Sequence, residues 1–194
     1  MQLAARDIGW VPLGDHTIHN IIGLGLPEAI HRLYPGANLS ERQRLRDAYV
    51  SHFLSLDEAC PSDFFPGVMS TLRHLKADGH TLTIATGKSR KGLDRIFGVL
   101  GLADFFHASR CADETASKPD PLMLAELLNE FGVAPDAAVM IGDTEYDMEM
   151  AQRINMPRIA VSYGAHHIDR LHGYQPELCL DQFDQLLSWE KLAG

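Results

Sequence analysis

The chain has 194 residues, 45% of them apolar, and 17 basic against 26 acidic residues give a formal charge of −9. That suits one globular domain, or one domain with a smaller insertion, and is too apolar for a disordered segment. The acidic balance lacks the basic field of a nonspecific nucleic-acid binder, and no apolar run approaches the ~20 residues of a membrane helix.

The cysteines, Cys60, Cys111 and Cys179, are odd in number and show neither zinc-ligand nor redox spacing. Reduced thiols in a cytoplasmic protein are the simplest reading. The opening MQLAARDIGW lacks the basic start and apolar stretch of a signal peptide.

In chain order, residues 1–62 read as helices and loops, a small helical domain. Pro27 to Leu33 is helical, with Pro27 suited to a first turn. Ser40 to Leu56 follows, with Ser40 as expected N-cap, Gln43 completing a capping box, and Leu45, Ala48, Tyr49, His52, Phe53 and Leu56 at helical spacing. The run CPSDFFPG (60–67) reads as a linker.

Residues 63–194 alternate helix and strand. Helices are expected over Val68–Asp78, Ser89–Leu100, Asp120–Phe131, Asp147–Ile154 and Phe183–Lys191. Strands are expected over Thr81–Ala85, Phe105–Ser109, Ala137–Ile141, Arg158–Ser162 and Leu178–Leu180. This alternation implies an α/β fold, a parallel sheet covered on both faces, with ligands beyond the carboxyl ends of its strands.

Three such ends carry chemistry. Thr86-Gly87-Lys88 offers a hydroxyl and backbone N–H groups to an anion, or is an ordinary strand-to-helix turn. Ser117-Lys118-Pro119-Asp120-Pro121 holds Lys118 in a rigid setting, where an ammonium can neutralise a phosphoryl group or be a plain surface lysine. In Gly142-Asp143-Thr144-Glu145-Tyr146-Asp147, two carboxylates can face one Mg2+, or can act as helix N-cap and first-turn acid.

The order is hydroxyl, lysine, aspartate pair, 32 residues from Thr86 to Lys118, 25 on to Asp143 and four on to Asp147. With Phe65-Pro66-Gly67-Val68 and Lys118-Pro119-Asp120-Pro121, the sequence resembles the haloacid dehalogenase superfamily, in its phosphoglycolate-phosphatase-like branch. The resemblance implies a Rossmann-like core at 63–194 and a helical cap at 1–62. It implies Thr86, Gly87 and Lys118 as phosphate-binding, Thr86 and Lys118 as catalytic, and Asp143 and Asp147 as Mg2+ ligands. Gly23, Leu24 and Gly25 resemble the cap loop that selects the substrate, and read alone they are a turn between helices. The scattered histidines His16, His19, His31 and His52 suggest no metal cluster. His166 and His167, near a strand end, either line the cleft or cap a loop.

The family's first motif, Asp-x-Asp-Gly-Thr at the end of the central first strand, does not occur in the sequence. By resemblance its first aspartate attacks phosphorus and its second moves the proton. The expectation is a phosphatase for a small phosphorylated metabolite, inactive as this chain stands and lacking one central strand. The facing strand edges would then invite self-association. A noncatalytic phosphate- or partner-binding relative stays open. A receiver-type signalling domain fits less well, because its acidic pair should precede the threonine.

Overall fold

The structure, a computed structural model, describes residues 1–59 and 63–193. Cys60, Pro61 and Ser62 of the expected linker lie outside the described residues.

The N-terminal part is helical: α1 (Gln2–Asp7), α2 (Asp15–His19), α3 (Leu26–Leu33) and α4 (Leu39–Ala59). Ala4 and Ala5 of α1, Ile30 of α3 and Leu45 of α4 are buried together. Two alanines leave room for the close approach of α1 to α4. The start of α4 differs from the expected Ser40–Gln43 box. Asn38 Oδ1 accepts from Glu41 N–H at 3.0 Å, and Glu41 Oε2 accepts from Asn38 N–H at 2.8 Å. Asn38 is the stronger competitor, because this reciprocal pair satisfies two donors two residues earlier.

The remainder alternates: α5 (Val68–Ala77), β1 (Thr83–Thr86), α6 (Arg90–Leu100), β2 (Ala108–Cys111), α7 (Leu122–Phe131), β3 (Met140–Gly142), α8 (Glu145–Gln152), β4 (Arg158–Val161), α9 (Ile168–His172) and β5 (Leu178–Leu180). Ser89 caps α6 by accepting from Gly92 N–H, and Gly132, at φ 63°, ends α7. β3 begins later than expected because Pro135–Ala137 forms a 3-10 turn.

The expected C-terminal helix is instead two 3-10 segments, Phe183–Ser188 and Glu190–Ala193. Phe183, Leu186, Trp189 and Leu192 recur every third residue and enter one core cluster. A spacing of three matches the 3-10 turn and drifts off one face of an α-helix.

Every strand pair is parallel, but the strands form two hydrogen-bonded groups, β1–β2 and β3–β4–β5. The face layers span both groups. Ala85 of β1 and Met140 of β3 both pack against the cluster that holds Met123, Leu124 and Met150 of α7 and α8. On the other face Leu82, Val139 and Ile141 pack around Leu75 of α5 and Leu186. β1 and β3 are half-buried along their length while most of β4 is buried. A parallel sheet covered on both faces normally buries its inner strands. The exposure of β1 and β3 therefore marks open edges, with no strand of the described residues between them. No helix among the described residues is long and apolar enough to cross a membrane.

Candidate active site at the carboxyl ends of the strands

Thr86 closes β1 and Asp143 directly follows β3, so both lie at carboxyl ends of parallel strands. The Thr86 hydroxyl accepts from Lys88 N–H at 3.2 Å and keeps its own proton to donate. Lys118 comes from the loop before α7 and is 6% exposed. Its Nζ donates to Asp147 Oδ1 at 2.6 Å. A lysine this buried is rare without a partner, and this one has its carboxylate.

Asp147 is 2% exposed and fully engaged. Its Oδ2 accepts from Thr144 N–H at 3.1 Å and from Thr144 Oγ1 at 2.7 Å, while Thr144 caps α8. The N-cap of α8 is thus Thr144, not Asp143. Gly142 permits this: a Cβ there would stand 2.3 Å from that of Asp147.

Asp143 is turned the other way. Its Oδ2 accepts from Ala165 N–H at 2.8 Å, and its main-chain oxygen accepts from His166 N–H at 3.1 Å. A side chain at Gly164 would overlap Asp143, with Cβ atoms 2.0 Å apart. His166 is buried. Its Nδ1 accepts from Glu145 N–H at 3.2 Å at the start of α8. Burial, with the Arg170 guanidinium second, pushes the His166 ring below its usual value, so it is neutral at neutral pH.

The Gly23, Leu24 and Gly25 loop touches all three motif segments. A Gly87 Cβ would stand 2.6 Å from the main-chain oxygens of Gly23 and Leu24, and a Gly23 Cβ 2.8 Å from Thr144 Oγ1. Gly25 N–H donates to Ser117 Oγ at 2.8 Å. Thr86-Gly87, Ser117-Lys118 and Thr144-Asp147 therefore converge under one loop. Beside it, a cleft of about 320 Å³ opens between α3 and the Lys118 loop, lined by Glu28, Arg32, Ser117, Lys118, Asp120 and Arg153.

Sequence reasoning had overlooked Tyr146, Arg32 and Arg170. Tyr146 is 5% exposed, the Arg32 guanidinium lies 5.3 Å from its ring, and Arg170 pairs with Glu145 at 2.7 Å. The one available signal was position: Tyr146 precedes Asp147 in the first turn of α8 and must face the helical part.

Among the described residues, Asp143 Oδ1 has no hydrogen-bond partner, while the other three oxygens of this aspartate pair do. Mg2+ takes one or two carboxylates and completes its octahedron with water and phosphate oxygens, so Asp143 fits such an ion. Asp147 has both oxygens committed. Among the described residues, no group of three or more His, Cys, Asp or Glu is gathered as a metal centre.

The family model described as haloacid dehalogenase-like hydrolase matches residues 2–161. The protein called probable phosphatase IndB from Dickeya dadantii is 33% identical over 190 residues, covering 95% of this chain and 81% of its own length. A phosphoglycolate phosphatase from Colwellia psychrerythraea is 28% identical, with 94% and 84% covered. Among solved structures, a predicted phosphoglycolate phosphatase from Haemophilus somnus matches with TM-score 0.82 at 21% identity, covering 96% of this chain and 87% of that one. A β-phosphoglucomutase from Clostridium difficile matches with TM-score 0.84 at 19% identity, covering 99% and 87%. At such identities the structures speak for the fold alone.

Proposed function

Because this chain belongs to the haloacid dehalogenase-like hydrolases, we propose that it serves Mg2+-dependent hydrolysis of a small phosphomonoester, with phosphoglycolate as the first substrate to try. The observation that carries this reading is the Lys118 ammonium, buried at the strand ends and held 2.6 Å from Asp147. A fixed ammonium keeps its remaining N–H donors for phosphoryl oxygens and needs no reorganisation during transfer. Thr86 donates its hydroxyl to a second oxygen. Asp147 orients Lys118 and ties it to the cap of α8. Asp143 holds Mg2+, which when bound offsets phosphate charge and fixes its orientation.

The family resemblance implies an aspartyl-phosphate route. A carboxylate oxygen attacks phosphorus, the ester oxygen leaves with a proton, and water then releases phosphate. The Asp-x-Asp-Gly-Thr that would supply this nucleophile does not occur in these 194 residues. The proposal is therefore that the chain as given is inactive, and that the nucleophile comes from outside it. The same absence favours a second reading, a noncatalytic relative that binds phosphate or a protein. Family membership sets aside the receiver-type reading. The net charge of −9 supports a reading without a nucleic-acid partner, and the spacing of the cysteines a cytoplasmic setting.

The test is phosphatase turnover with Mg2+ and a small phosphate ester. It compares this chain with one extended upstream by a strand carrying the first motif, and with the extended chain bearing Asp143→Ala. Turnover by the extended chain alone, lost with Asp143→Ala, is the expected result. Absence of turnover in all three sinks the enzyme reading and leaves a binding protein.

A further inference from the structure

Asp143 is held from the loop between β4 and α9. Ala165 N–H donates to its Oδ2 at 2.8 Å, and His166 N–H to its main-chain oxygen at 3.1 Å. Gly164 lets the loop come this close, since a Cβ there would stand 2.0 Å from that of Asp143. The direction of the Asp143 carboxylate therefore depends on where residues 164–166 sit.

The loop carries two histidines with different work. His167 is exposed and caps α9, accepting from Asp169 N–H at 3.4 Å. His166 is 2% exposed, and its ring meets that of Tyr146 edge to face at 5.5 Å. Its Nδ1 accepts from Glu145 N–H at 3.2 Å, a first-turn amide of α8 without a partner inside the helix. A small circuit closes: Asp143 main-chain oxygen to His166 N–H, His166 Nδ1 to Glu145 N–H, and Glu145 back to Asp143 two residues along the chain. An acceptor at Nδ1 leaves the ring proton of a neutral imidazole on Nε2. Nε2 is buried and makes no hydrogen bond among the described residues. An apolar side chain would fill this space without an unpaired buried donor. What the imidazole alone adds is the acceptor.

We propose that His166 is a positioning residue for Asp143: its Nδ1 ties the backbone of residues 164–166 to the start of α8, and that backbone aims the carboxylate. His166 itself reaches a cation only through Asp143. The cation half rests on the Mg2+ reading of Asp143 above; the tie itself does not.

The experiment follows amide hydrogen exchange and Mn2+ titration by electron paramagnetic resonance on the full chain, with Mn2+ as the paramagnetic stand-in for Mg2+ in an oxygen site. The variants are His166→Leu, which removes the acceptor, and His166→Asn, which keeps an acceptor oxygen where Nδ1 stands. His166→Gln, with its polar end only where Nε2 stands, repeats the loss should the leucine variant fail to fold. Asp143→Ala marks the signal of a chain without the site. Expected in His166→Leu and His166→Gln is exchange at Ala165 and Glu145 faster by roughly five- to tenfold, the effect of one lost hydrogen bond on a local opening. Protection of β4 stays as in the parent. Mn2+ binds about tenfold more weakly to both, the lower end for loss of a partner behind a metal ligand. His166→Asn stays near the parent in both readouts. Unchanged exchange at Ala165 in His166→Leu and His166→Gln overturns the tie. Equal losses in His166→Asn overturn the acceptor role and leave only packing. Faster exchange with unchanged Mn2+ affinity overturns the aiming of Asp143. Faster exchange with no more Mn2+ bound by the parent than by Asp143→Ala sinks the metal reading and leaves the tie standing.

Discussion

The Lys118–Asp147 pair is the costliest arrangement in the site. Two charges, 6% and 2% exposed, are held 2.6 Å apart. Removing one partner strands the other charge out of water. Asp147→Asn is expected to destabilise by about 3–5 kcal/mol in urea unfolding, and Lys118→Met added to it should recover most of that loss. A loss below roughly 1 kcal/mol would show that water already reaches the ammonium. A second residue-scale contact faces solvent. Glu114 accepts from Arg90 Nε at 2.7 Å and from Arg90 Nη2 at 2.8 Å, and Arg90 holds the carboxyl below the usual carboxylate range. A folded pKa below the unfolded one means the gain is complete above the unfolded value. It disappears as pH falls through the folded value. Glu114 is more than one third exposed, so screening limits the effect to about 1 kcal/mol or less. Arg90→Gln should lower stability more at pH 7 than at pH 3, where only its bonds to Ser109 Oγ and the Ser109 main-chain oxygen are still lost, a difference that paired urea melts resolve.

At the scale of elements, α4 was legible in its apolar spacing, but its first residue was not. Ser40 and Asn38 both have cap-forming side chains, and the choice depends on which one finds a reciprocal acid. Asn38 finds Glu41. Asn38→Ala should cost about 1 kcal/mol of stability in thermal or urea unfolding and Ser40→Ala only a few tenths; the reverse order would return the cap to Ser40. The 3-10 segments after β5 follow the same logic. Their apolar residues repeat every third position, a signal present in the sequence and overlooked because it also tolerates a short α-helix.

For the whole molecule, the decisive feature is the division of the parallel strands into two groups under shared face layers. The half-exposed strands β1 and β3 offer unpaired backbone groups, and such edges recruit other strands. This chain alone is therefore expected to self-associate with rising concentration in light scattering. A single monomer mass up to roughly 100 µM, with cooperative unfolding, would count against that expectation.

The sequence by itself determined the α/β class, the helical N-terminal part, and the ordered set Thr86, Lys118, Asp143 and Asp147. Each of these rests on local pattern or fixed order along the chain, which packing does not rearrange. Only the tertiary structure decided which partners their side chains meet. Asp147 turns to a lysine 29 positions away, Asp143 accepts from Ala165 N–H, and a cap loop lies across Gly87. Those outcomes depend on burial and on which partners meet in space. A carboxylate is the same residue in sequence whether it faces an ammonium, an amide or water.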